Sequence, residues 1–330
     1  MVTNPKNDIS LVETQTFVTA PSERRAPLSF AQQRIWFLDQ IAPNNPFYNL
    51  SCAVALEGRL ILEALEKVIN EIVKRHEALR TRFEVEDGAP VQVIDEWKPR
   101  KLEVEDLTGL AREDREEEAR RITKADARTG FDLRQGPMMR VKVLKLEDEQ
   151  HLLLFTMHHI VSDAWSLGLL MKEVSALYAA ISEGKESPLP RLETQYGDYA
   201  KWQRKYLAGG MLEGEIAYWK EQLKGAAILE LPTDYPRPAA PSYQGGEEYV
   251  GLGEDLSKGL RMLSQREGAT VFIVLMAALK VVLMRYSGEE DLSVGTAVAN
   301  RTKRDWDGLI GFFVNTLVLR TDLGANPSFR

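Results

Sequence analysis

A break in the middle of the chain constrains the fold more than any other feature. Residues 182–194, SEGKESPLPRLET, contain two prolines, few apolar side chains and no helical or strand periodicity, which is typical of a linker. The chain has 330 residues, and single hydrophobic cores stop growing at about 250–300 residues. The sequence therefore predicts two lobes, one over residues 26–181 and one over residues 195–330.

Hydrophobic periodicity predicts both helices and strands in each half. Apolar or charged faces at three- and four-residue steps indicate helices at residues 30–38, 61–75, 112–128, 165–181, 196–207, 212–223, 255–266 and 271–286. Short apolar runs bounded by turn residues indicate strands at residues 50–57, 79–85, 91–94, 140–146, 152–157, 249–252, 292–298 and 312–321. The predicted class is α/β, an α+β sandwich with mostly antiparallel sheets. Residues 1–25 are predicted to form a flexible arm and residues 231–246 a proline-rich loop.

Composition excludes several functional classes. The net charge of -7 argues against nucleic-acid binding, which needs clustered Lys and Arg. A single cysteine, Cys52, excludes an internal disulfide framework and a cysteine-rich zinc site. The N-terminus has no basic-then-apolar leader pattern. The longest apolar run, Val271–Met284, is too short to span a bilayer and contains Lys280. We therefore expect a cytoplasmic protein without a membrane partner.

The run MHHIVSDAWS contains the residues most suited to catalysis. His158 and His159 are adjacent at the end of a predicted strand, and Asp163 follows four residues later. Because strand side chains alternate between faces, we expect the two imidazoles to point in opposite directions, so that only one faces a cleft. A metal needs converging ligands, and this arrangement does not favour one. Taken alone, the run also fits two ordinary histidines at a strand end.

Five further stretches accompany this run in a recognisable order. They are LSFAQQRIWFLDQI from Leu28, RHEALRTRF from Arg75, YGDYAKWQ from Tyr196, LPTDYPRP from Leu231 and IGFFVNTLVLR from Ile310. Together with HHIVSD, they closely resemble the motifs of condensation domains of nonribosomal peptide synthetases. A lone match to H-H-x-x-x-D is weak evidence, whereas the ordered set across residues 27–330 is specific.

The resemblance implies a particular architecture and reaction. It implies two chloramphenicol-acetyltransferase-like lobes in a V-shaped pseudo-dimer, with a tunnel between them. Donor and acceptor carrier domains would approach from opposite sides and deliver thioesters on phosphopantetheine arms. The acceptor amine would attack the donor thioester to form an amide. No cofactor or metal would be bound directly, the domain would be monomeric, and an adenylation domain would be its neighbour in the same synthetase.

The resemblance also assigns roles to residues. His159 would be the active-site histidine and His158 a supporting one. Asp163 would be a buried structural carboxylate paired with an arginine, for which Arg301 is the first choice and Arg75 the second. The residues that would line the tunnel or the substrate are Ala164, Trp165, Ser166, Trp202 and Asn315.

The chemistry of His159 has two possible forms. An ordinary imidazole has a pKa near 6.5 and can accept a proton at neutral pH. An α-amine has a pKa of only about 8, so that holding two tethered substrates together could supply much of the rate. The sequence leaves open whether His159 is a general base or positions the amine.

Two features of the chain depart from the family pattern. Ala164 stands where the family usually has glycine, and we expect this methyl group to be harmless. Family members continue beyond the position of Arg330, so the second lobe is expected to be incomplete and independent activity is in question. A chain that starts at Met1 also suggests a lipid-starting domain with a fatty-acyl donor, or docking to an upstream synthetase.

Two other functional classes remain as alternatives. One is a non-catalytic relative that recruits carrier proteins or tailoring enzymes. The other is a coenzyme-A-dependent acyltransferase with a hydroxyl acceptor, although the D-F-G-W-G motif of the plant enzymes is missing.

Overall fold

A computed structural model describes residues 25–239, 245–246, 248–325 and 327–329. The arm predicted for residues 1–25 lies outside these ranges except for its last residue, and so does part of the proline-rich loop. The described helices are α1 Phe30–Ile41, α2 Leu62–Arg75, α3 Arg112–Arg128, α4 Ala164–Ser182, α5 Tyr196–Tyr206, α6 Gly210–Gln222, α7 Glu254–Arg266 and α8 Val271–Ser287. The strands are β1 Arg25–Pro27, β2 Asn49–Glu57, β3 Thr81–Glu86, β4 Ala89–Ile94, β5 Glu103–Asp106, β6 Met139–Glu147, β7 Gln150–His158, β8 Asp291–Val298 and β9 Asn315–Asp322. The α/β class predicted from the sequence is confirmed.

The strands form a central sheet and two smaller ones. The central sheet has the order β2-β7-β6-β5, in which only the β5–β6 pair is parallel. A three-stranded sheet has the order β1-β4-β3, and β8 pairs with β9 in an antiparallel ribbon. In the central sheet His158 lies opposite Asn49, so β7 ends level with the start of β2.

Strand alternation explains how the central sheet is covered. Leu153, Phe155 and Met157 of β7 share one core with the apolar faces of α2 and α4. Leu154, on the opposite face, packs instead in a smaller core with Ile122 of α3. The sheet is therefore covered on both faces, which places the end of β7 at the rim of a buried layer.

A separate core joins residues from before and after the predicted linker. Tyr196 and Tyr199 of α5 are buried in one cluster with Leu28, Phe83 and Phe313. Segments on both sides of residues 182–194 therefore pack together. The lobe boundaries stay a prediction.

Two strand predictions differ from the structure. Residues 249–252 lie outside any sheet, and Tyr249 and Val250 are exposed, so their β-branched and aromatic composition misled the prediction. The last strand begins at Asn315, later than predicted, because Phe312 and Phe313 are buried in the core ahead of it. A buried apolar run that forms no ladder is indistinguishable from a strand by composition.

Among the described helices, none by itself has the length and apolar character needed to cross a membrane. Only α7 and α8 taken together meet those criteria, and they are bent by 106° relative to each other.

Candidate active site

His158 is the last residue of β7, and its side chain caps the turn that follows. Its Nδ1 accepts a hydrogen bond from the Ile160 N–H at 3.1 Å. The ring lies near Tyr48 and Phe131, with centroid separations of 6.2 and 5.9 Å. Burial, and secondarily the neighbouring His159, lower the pKa of His158 to about 3. His158 is therefore neutral at physiological pH and acts as a hydrogen-bond acceptor inside the protein.

His159 begins a single 3₁₀ turn, His159–Val161, and is only half-buried. Its Nδ1 lies 2.7 Å from the Ser162 carbonyl oxygen. A carbonyl oxygen can only accept, so Nδ1 carries the proton and Nε2 of the neutral ring keeps its lone pair. The ring packs edge-on against Phe312 at 4.7 Å between centroids. The strand ends at His158, and the turn therefore holds the two imidazoles in different environments.

Asp163 is the N-cap of α4 and is almost completely buried. Its Oδ1 accepts from the Ser166 N–H at 2.8 Å and from the Ser166 hydroxyl at 2.7 Å. Its Oδ2 accepts from the Phe313 N–H at 3.0 Å. Nη2 of Arg301 lies 3.4 Å from Oδ1, and both side chains are shielded from water. One carboxylate thus connects α4, the 309–313 segment and the arginine that was the first choice of partner.

Arg301 also holds the 309–313 segment through its other donors. Its Nη1 donates to the carbonyl oxygens of Trp306 and Leu309, the latter at 2.8 Å. Its Nη2 donates to the Ser166 hydroxyl at 3.0 Å. The guanidinium further lies 4.0 Å from the centroid of the Phe313 ring. The fork geometry of arginine therefore braces several backbone groups at once.

Arg75, the second choice of partner for Asp163, belongs to a different cluster. Its Nε donates to Glu173 of α4 at 3.1 Å. Nε2 of His76 contacts the same carboxylate at 2.7 Å, and Nδ1 of His76 accepts from the Ile310 N–H at 3.3 Å. Burial lowers the pKa of His76, although Glu173 opposes that shift. The predicted pairing of Arg75 with Asp163 is therefore corrected: Arg75 pairs with Glu173, a buried acid that the sequence did not single out.

The residues predicted to line the tunnel lie in different environments. Ala164 and Trp165 are exposed in the first turn of α4, and the Trp165 indole donates to the Asp307 carbonyl at 3.0 Å. Trp202 is partly buried and stacks on Tyr206 at 4.8 Å. Asn315 is exposed at the start of β9.

Ser166 does not fit the prediction of a lining residue. It is 0 % exposed, and its hydroxyl contacts Asp163, Arg301 and both backbone polar groups of Gly311. Its position on the buried side of α4, two residues after the exposed Ala164, turns the hydroxyl inward. The predicted role of Ser166 is therefore corrected: its side chain links α4 to the 309–313 segment.

Sequence reasoning missed several buried polar residues around this site. Gln32 of α1 donates to the Ile160 carbonyl, and the Tyr196 hydroxyl donates to the Phe312 carbonyl. Both occur in the quoted motifs, but nothing in their local pattern assigns them a partner far away in sequence. Within the described ranges, no group of three or more His, Cys, Asp or Glu side chains is placed to hold a metal ion.

The family model of the condensation domain matches residues 22–330 of this chain. This chain belongs to the condensation-domain family. One of the linear gramicidin synthase proteins of Brevibacillus parabrevis is 48% identical to this condensation domain over 309 residues. The match covers 93% of the chain and only 6% of that much longer relative. Chondramide synthase of Chondromyces crocatus is 42% identical over 304 residues, which cover 92% of the chain and 8% of that relative.

Solved structures resemble the condensation domain along most of its length. The X-domain from teicoplanin biosynthesis superposes with a TM-score of 0.83 at 29% identity, covering 94% of this chain and 68% of that one. The same X-domain has been solved in complex with OxyB, and that structure superposes with a TM-score of 0.82. The first condensation domain of the CDA synthetase gives 0.77 at 23% identity, covering 93% and 73%. That last similarity concerns the fold alone.

Proposed function

We propose that this condensation domain forms an amide bond between a carrier-bound acyl or peptidyl thioester and the amine of a carrier-bound aminoacyl thioester. In this step the amine nitrogen attacks the donor carbonyl carbon. The C–N bond forms, the C–S bond breaks, and the donor carrier leaves as a thiol after taking up a proton. The amine nitrogen loses one proton in return, so atoms and charge balance.

The observation that carries the proposal is the orientation of the His159 ring. The Ser162 carbonyl binds the protonated Nδ1 at 2.7 Å, so that in the neutral form of the ring Nε2 is the hydrogen-bond acceptor. An imidazole fixed in this tautomer can accept the proton that the amine loses. General-base help of this kind is worth about 10²–10⁴-fold.

Positioning is the other contribution that His159 can make. The same Nε2 lone pair can hold the amine by accepting its N–H, with no proton transfer in the rate-limiting step. Fixing two tethered substrates at reaction distance can supply about 7–11 kcal/mol. A pH profile of turnover cannot separate the two roles, because protonation of Nε2 removes the lone pair that both use. A solvent deuterium isotope effect on turnover separates them, because only a general base transfers a proton in the rate-limiting step.

His159→Ala tests the proposal directly. We expect the variant to fold, because removing a half-buried ring costs few packing contacts. We expect it to form amide at least about tenfold more slowly than wild type. The assay mixes the protein with loaded donor and acceptor carriers and follows the amide product by mass spectrometry. His151→Gln, at the other end of β7, is the histidine control and should retain activity. Full amide yield from folded His159→Ala would contradict the assignment.

The donor class is tested in the same assay. A carrier loaded with a fatty-acyl group and one loaded with a peptidyl group are compared at equal concentration. A lipid-starting domain would use the fatty-acyl donor at least about tenfold better, which requires about 1.4 kcal/mol of discrimination. A preference for the peptidyl donor would place this domain within chain elongation.

A docking role is the second candidate, favoured by the similarity to the X-domain that was solved in complex with OxyB. Such a domain would bind loaded carriers or a tailoring enzyme without forming amide. Two results together would favour this alternative. Wild type and His159→Ala would bind the carriers with equal affinity, and neither protein would form amide.

A further inference from the structure

A buried amide on α1 contacts the turn that carries His159. Gln32 is 0 % exposed, and its Nε2 donates to the Ile160 carbonyl oxygen at 3.1 Å. Ile160 directly follows His159 in the 3₁₀ turn, and a one-turn segment has few internal hydrogen bonds of its own. The Gln32 side chain is therefore a long-range anchor of the backbone next to the imidazole.

The orientation of the Gln32 amide is fixed by its other partners. Its Oε1 accepts from the Ser29 N–H at 3.1 Å, and its Nε2 also donates to Oε1 of Gln92 at 3.2 Å. Gln92 in turn donates to the Pro27 carbonyl at 2.8 Å. Reversing the Gln32 amide would place an oxygen against two acceptors, so only one orientation satisfies the network. The donor that faces Ile160 is therefore held in place.

The same network also reaches the aromatic neighbour of the His159 ring. The Tyr196 hydroxyl donates to the Phe312 carbonyl at 2.6 Å, and the Ser29 hydroxyl lies 2.8 Å from the Tyr196 oxygen. The Ser29 hydroxyl oxygen also accepts from the Gln32 N–H at 3.1 Å. Because the Phe312 ring packs against the imidazole, the network holds both the turn that carries His159 and the backbone of its aromatic neighbour.

We propose that Gln32 is a positioning residue for His159. Its amide holds the Ile160 carbonyl and so keeps the His159–Val161 turn in the geometry that directs Nδ1 to Ser162. The inference rests on the proposed function of His159, and its effect is on turnover. Loss of the Ile160 contact releases the turn that carries His159.

A matched pair of variants separates positioning from general destabilisation. Gln32→Met keeps the length of the side chain and removes the donor to Ile160. Gln92→Met removes a similarly buried amide and its two hydrogen bonds, to Gln32 and to the Pro27 carbonyl. The Ser29 N–H still fixes the Gln32 amide, so this variant keeps the contact between Gln32 and Ile160. Gln32→Asn is a milder companion, since it keeps an amide and withdraws it by one methylene group.

The melting temperature of each variant is measured first, and then its turnover and its KM for the loaded carriers. We expect Gln32→Met to lower kcat at least about tenfold, because small misplacements of a reacting group are costly, with KM changed less than about threefold. Gln92→Met should change both constants less than about threefold. Equal losses of kcat in Gln32→Met and Gln92→Met would overturn the proposal. So would insoluble Gln32 variants beside a soluble Gln92→Met, because Gln32 would then anchor the fold as a whole.

A spectroscopic readout distinguishes this proposal from the proposed function. Proteins labelled with ¹⁵N-histidine report the tautomer of His159, which is assigned by comparison with His159→Ala. We expect the Nδ1–H tautomer to dominate in wild type and in Gln92→Met, and its population to fall in Gln32→Met. An unchanged His159 spectrum in Gln32→Met would overturn the positioning role. Full activity of His159→Ala would end the catalytic proposal, while the spectra would still show whether Gln32 holds the turn.

Discussion

The burial of His158 predicts a specific dependence of stability on pH. The folded-state pKa is lowered to about 3, whereas the unfolded chain has an ordinary value near 6.5. Below pH 6.5 the unfolded chain therefore binds a proton that the folded protein excludes. The stabilisation by the neutral ring is fully present above pH 6.5 and is lost as the pH falls toward 3. Between pH 7 and pH 5 this loss amounts to about 2 kcal/mol for one such group.

His158→Asn isolates this contribution. The Asn Oδ1 occupies nearly the position of the imidazole Nδ1 and can accept the Ile160 N–H, but it does not titrate. Urea unfolding is followed by tryptophan fluorescence at pH 8, 7, 6 and 5 for both proteins. The difference at pH 8, where His158 is neutral in both states, measures the packing cost of the substitution. Between pH 7 and pH 5 the wild type should lose about 2 kcal/mol more than the variant. Parallel pH profiles would refute the reasoning, because they would mean that His158 titrates normally in the folded protein.

Three further substitutions test the surroundings of the site. Asp163→Ala leaves a buried arginine without its counter-charge and should lower the free energy of unfolding by about 3–5 kcal/mol, as measured in urea; an unchanged midpoint would show that this carboxylate is not structural. Ala164→Gly should leave amide formation within about threefold and cost at most about 1 kcal/mol of stability, and a gain of about a hundredfold would mean that the methyl group obstructs the site. Gly311→Ala would place a Cβ against the Tyr196 ring, well inside van der Waals contact, and should destabilise by about 1–3 kcal/mol. Gly308→Ala, with its nearest neighbour at 3.5 Å, is the control, and equal melting temperatures for the two variants would contradict the clash.

Regular elements were predictable because their periodicity is local. The amphipathic pattern of residues 61–75 gave α2 within one residue, since its apolar face packs against the central sheet. The same reasoning failed at residues 312–314, where two buried phenylalanines precede the strand instead of starting it. Phe313 packs against Tyr196 and Tyr199 of α5, and Phe312 packs against His159. These partners lie far away in sequence, and no local pattern records the contacts.

The candidate site was predictable only in part. The order of the motifs pointed to His159 and Asp163, and the resemblance supplied Arg301, which is 138 residues from its partner. Periodicity alone contains no information about such a pair. Arg75 and Ser166 were misplaced for the same reason, because the sequence shows that a polar residue is present but not which buried group it satisfies.

The polar residues that the sequence missed share one physical cause. Ile160, Val161 and the segment at 309–313 are buried. The single 3₁₀ turn at 159–161 and the irregular segment at 309–313 satisfy few of their own backbone groups. Nearly all buried backbone donors and acceptors are paired in native proteins, so side chains from elsewhere must supply the partners. Gln32 does so for Ile160, Tyr196 for Phe312 and His76 for Ile310. Irregular backbone lets His159 leave the sheet and become accessible, and the buried polar residues around it are the physical requirement for that irregularity.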